Sequence, residues 1–95
     1  MADEERLPEF YVDQFLISSN QYGATITFGL SPAHPSPGQM EKPQDLVRLR
    51  MSLEHAKVMV MLVRQHLIRY EENAGVQIQI PFEVIKALGL ADETW

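Results

Sequence analysis

Between Ser52 and Gly75 the chain runs without proline or glycine, and its apolar residues recur at helical spacing. That pattern predicts one long helix from Leu53 to about Asn73. Ser52 can cap it by accepting a bond from an early amide, and Glu54 suits the positive end of the helix dipole. Gly75 can take the left-handed conformation that ends helices. At about 100° per residue, Ala56, Met59, Val60, Val63, Leu67 and Tyr70 fall on one stripe, which is expected to pack on a sheet. The back of the helix is less polar than a solvated face should be. Val58, Met61, Leu62 and Ile68 lie there among Lys57, Arg64, Gln65 and Arg69. Single exposed apolar residues need no explanation, but four on one helix are a candidate self-association face.

Around this helix the sequence predicts strands. Phe10–Ile17 is aromatic and β-branched, Ser18–Gly23 supplies turn residues, and Ala24–Leu30 alternates cleanly, so an antiparallel hairpin is the natural pairing. A third strand, Leu46–Met51, sets Val47, Leu49 and Met51 on one face. Its other face carries Arg48 and Arg50, a candidate basic surface. After the helix, Val76, Ile78 and Ile80 alternate with Gln77 and Gln79, the pattern of a fourth strand. Pro81 then opens a short helix over Phe82–Leu88, which Gly89 stops.

The expected fold is therefore α+β, a small antiparallel sheet in the order β-β-β-α-β-α with one long helix packed on one face. Residues 1–8 read as a disordered acidic tail and 9–95 as a single domain. Within it, residues 31–45 form a loop rich in proline (Pro32, Pro35, Pro37, Pro43), long for a compact domain. The Pro32–Pro35 pair matches the minimal polyproline-ligand pattern, which any proline-rich connector also produces.

Composition narrows the function classes. The chain of 95 residues has no cysteine, which removes disulfides and thiolate chemistry and fits the cytoplasm. Its acidic, polar start is the opposite of a signal peptide, and its longest apolar run, Val58–Val63, is far short of the roughly 20 residues that span a bilayer. No membrane association is expected. A net charge of −5 disfavours nucleic acid unless the cations share one face.

Nothing in the residues points to catalysis. His55 and His66 lie three turns apart, roughly 16 Å of rise, too far to share one ion. His34 sits in the proline loop. The carboxylates fall in the tail, at a helix end or at the chain end, and no phosphate loop, nucleophile elbow or zinc signature occurs. No cofactor, metal or enzymatic activity is expected. The reading is a non-enzymatic protein-interaction module, a homodimer or small oligomer. Its alternatives are a DNA-associated regulatory or accessory protein using Arg48 and Arg50, and a holdase-like chaperone exposing the apolar helix face.

Two resemblances bear on this. The hairpin residues Tyr11-Val12-Asp13 and Ile26-Thr27-Phe28, the strand Val47-Arg48-Leu49-Arg50, the helix start Met51-Ser52-Leu53-Glu54-His55-Ala56-Lys57 and its end Ile68-Arg69-Tyr70-Glu71-Glu72-Asn73-Ala74-Gly75 resemble a family of small prokaryotic proteins classed as a domain of unknown function. That resemblance implies a compact single-domain fold and brings no activity or site residue. Leu53 stands where that family usually has proline. The stretch Gln79–Leu90 is similar to the strand–helix segment of swapped-hairpin transition-state regulators of the AbrB type, which implies a DNA-binding dimer. The chain stops at Trp95, before the returning strands of that fold, and Lys86 is the segment's one cation.

Overall fold

The computed structural model of the chain describes residues 6–32 and 43–95. Most of the acidic tail, and positions 33–42 of the proline loop with Pro35 and His34, lie outside them. The described elements are three strands, β1 (Gln14–Asn20), β2 (Gly23–Leu30) and β3 (Gln44–Met51), then helices α1 (Leu53–Ala74) and α2 (Phe82–Ala87). The architecture is α+β, as expected. Contacts divide the chain into two compact units between Met59 and Val60, so each is described separately.

In the first unit β2 is central, antiparallel to β1 on one side and to β3 on the other. Directly opposed residues share a face. The register therefore gathers Phe15 and Ile17 with Phe28 and Ile26, and these with Val47 and Leu49, on one apolar face. The Phe15 and Phe28 rings lie 6.4 Å apart, tilted by 49°. Ala24 and Ile26, both on β2, are the buried hydrophobic side chains among the described residues.

The first strand begins and ends later than its composition suggested. Phe10–Val12 lie outside the ladder, because the partner strand ends at Leu30 and gives way to Ser31 and Pro32. There Asp13 ties the two chains together, its amide donating to the Gly29 carbonyl at 3.1 Å and its carboxylate accepting from the Ser31 amide at 2.9 Å. At the other end Ser18, Ser19 and Asn20 pair with Thr25, Ala24 and Gly23, leaving only Gln21 and Tyr22 to turn. The Asn20 side chain accepts from the Tyr22 amide at 2.8 Å, which closes the turn locally. The third strand starts at Gln44, and a register irregularity opposite Phe28–Gly29 makes Leu46 its unpaired residue.

Ser52 alone links β3 to α1. Its hydroxyl accepts from the His55 amide at 3.1 Å, the capping bond read from the sequence. Both helices stop at glycines with positive φ, 67° at Gly75 and 72° at Gly89. After each, the next amide returns to the carbonyl five residues back, Val76 to Glu71 and Leu90 to Ile85.

No residue of α1 is buried. Within the first unit Ala56 and Met59 are half-buried, and within the second Val60, Val63, Leu67 and Tyr70 are exposed. One expectation is corrected here: the fourth strand is not formed. Val76–Ile80 has no ladder partner among the described residues, and Val76, Ile78 and Ile80 are exposed. Period-two alternation describes which way side chains point, and it makes a strand only where a neighbouring backbone is free to pair.

Gly23 is constrained both by its backbone angle and by a close neighbour. Its φ is 153°, and a Cβ there would stand 2.7 Å from the Met51 carbonyl oxygen. Gly23→Ala is expected to cost about 1–3 kcal/mol, from backbone strain alone, in a urea melt of the whole chain. An unchanged midpoint would contradict this geometry.

Candidate interaction surfaces

The far-face residues read from the sequence are all on α1. Val58, described with the first unit, is 55% exposed. In the second unit Met61 and Leu62 are 62% and 51% exposed, and Ile68 is half-buried. Spacings of three and four residues set Met61, Arg64, Gln65, Ile68 and Glu72 along one side of the helix. Together with Leu62 and Arg69 they line a shallow groove. Chemically it is an apolar floor, Met61 and Ile68, between the long side chains of Arg64 and Arg69.

Arg64 also makes a contact that sequence reasoning missed. Its guanidinium lies over the Trp95 ring, 5.6 Å from the centroid, and its Nε donates to the Trp95 backbone oxygen. Thirty-one positions separate the two residues. No local periodicity signals such a pair; the one clue is that the chain's single tryptophan follows a run of surface residues. The contact orders the C-terminal residues against α1 within this unit.

Trp95 helps line a second groove, of about 390 Å³, with Leu67, Glu71, Ile78, Ile80 and Ile85. Its walls are the last turns of α1, the extended segment after it, and α2. The Ile78 amide donates to Glu71 Oε2 at 2.8 Å, so a helix carboxylate takes the place of the strand partner that this segment lacks.

The basic strand face is in the first unit. The register sets Arg48 opposite Thr27, which is opposite Leu16, and Arg50 opposite Thr25, which is opposite Ser18. Arg48 Nε donates to Thr27 Oγ1 at 3.1 Å. Both arginines are exposed, and none of these cross-strand neighbours is a carboxylate. Arg50 borders a pocket with Asn20, Tyr22 and Thr25.

His55 and His66 are both exposed on α1. Among the described residues no group of three or more His, Cys, Asp or Glu side chains is placed to hold a metal ion. Among the same residues no helix is long and apolar enough to cross a membrane. Compared with family models, with curated proteins and with solved structures, the chain matches none of them.

The Glu71–Ile78 bond can be tested alone. Glu71→Ala keeps a strong helix former in α1 and removes the acceptor. The loss of about 1 kcal/mol corresponds to roughly fivefold faster hydrogen exchange at the Ile78 amide. The Val76 amide, bonded to the Glu71 backbone carbonyl, is expected to keep its rate.

Proposed function

We propose that this chain is a cytoplasmic, non-enzymatic protein-interaction module that acts as a homodimer or small oligomer. The observation that supports the reading is how little apolar surface the described residues bury, Ala24 and Ile26 alone among hydrophobic side chains. Ordering a residue costs roughly 1–2 kcal/mol of backbone entropy, and apolar burial is the main term that offsets it. Two buried side chains on one strand supply little of that. A second copy covering the α1 face of Val58, Met61, Leu62 and Ile68 would supply more, and no cofactor enters the reading.

The test is the association state. Light scattering at micromolar concentration is expected to give a multiple of the chain mass, and Met61→Glu to weaken association at least tenfold. A clean monomer from the unaltered chain would sink the reading.

A second reading, a DNA-associated accessory protein, draws on Arg48 and Arg50, two cations on one strand face without a facing carboxylate. If it holds, duplex DNA binds at about 50 mM salt and Arg48→Ala with Arg50→Ala removes that binding. Absence of binding at that salt rules the reading out.

A further inference from the structure

The three-stranded sheet has two outer edges, and they are built differently. β3 carries three charged residues, Asp45, Arg48 and Arg50, and the irregularity at Leu46 interrupts its ladder. Charges and bulges are the devices that keep a strand edge from pairing with another chain. β1 has none of them. Its sequence Gln-Phe-Leu-Ile-Ser-Ser-Asn carries no charge and no proline, its register against β2 runs unbroken over all seven residues, and every one is exposed. Among the described residues nothing pairs with its outer side.

From this asymmetry we infer that β1 is a pairing edge and that its occupant is β1 of a second copy, antiparallel, across a two-fold axis at Ile17. The inference rests on the self-association reading and assigns it a contact other than the α1 face. Three properties select this occupant and register. Opposed residues of an antiparallel pair share a face, so a two-fold between residues, which would oppose Leu16 to Ile17, does not fit the pleat. A two-fold on a residue keeps the two apolar faces together, and of those only Ile17 uses the whole strand. Gln14 then faces Asn20 of the second copy, Phe15 faces Ser19, Leu16 faces Ser18, and Ile17 meets its own equivalent. Phe15 and Ile17, 61% and 57% exposed, thereby join into one apolar row over two sheets. Charge also favours it, since each copy carries a net −5 and β1 holds none of that charge.

The experiment uses the opposed pair Leu16 and Ser18, whose side chains lie on the polar face. Leu16→Lys with Ser18→Lys sets like charges across the two-fold twice. By light scattering the mass is expected to fall to half that of the unaltered chain. The matching Leu16→Glu, Ser18→Glu variant is expected to do the same. An equimolar mixture of the two is expected to regain the original mass, which also demonstrates that both variants fold. In the unaltered chain, alternate β1 amides are expected to lose exchange protection on dilution.

An unchanged mass in the lysine variant, or β1 protection that does not depend on concentration, overturns the edge contact. The self-association reading then stands on Met61→Glu alone. A monomeric unaltered chain removes both, so the two failures are distinguishable.

Discussion

β2 is the strand on which the first unit depends. Among the described residues it is the only strand with a partner on each side, and it holds both buried hydrophobic side chains. The bonds across its two ladders align Phe15 and Ile17 with Phe28 and Ile26, and these with Val47 and Leu49. Remove that alignment and the outer strands have neither a ladder nor a shared face. The turn at Gln21–Tyr22 and the tie from Asp13 to Ser31 hold the two ends of the β1 ladder in register. Both are side chain to backbone bonds, which position a chain without adding much burial.

What could be read from the sequence was whatever has a local cause. A hydroxyl three residues before an amide caps a helix, and Ser52 does so to His55. Glycines at Gly75 and Gly89 stop helices because left-handed φ is open to them. Strict alternation in Ala24–Leu30 marks a strand with one sheltered face, and this one is central. The placement of Arg48 and Arg50 away from Val47 and Leu49 followed from the same alternation.

The rest depends on partners that sequence does not name. The bounds of β1 were misplaced because a strand extends as far as its neighbour does, whatever its own composition. Val76–Ile80 has strand periodicity, yet the Ile78 amide finds a carboxylate on α1 and no ladder. The Arg64–Trp95 contact joins residues with no periodic relation, so only the folded chain reveals it.

Each element alone falls below what water tolerates. Helices in isolation are marginal even when capped, and most helical stability in proteins comes from packing an apolar face. A hairpin alone is marginal in water, and a third strand with an apolar face, or a packed helix, is what independent stability needs. Here α1 has no buried residue, and the sheet's apolar face leaves Phe15, Ile17 and Leu49 exposed. Both elements are nonetheless correctly capped, registered and terminated. Local consistency of that order specifies conformation but supplies little burial. The apolar surface left exposed lies on the first strand and on the long helix, and the two differ in kind. A strand edge offers backbone bonds with a set register, whereas a helix groove offers side-chain area between two cations. The first constrains register and side-chain pattern; the second constrains neither.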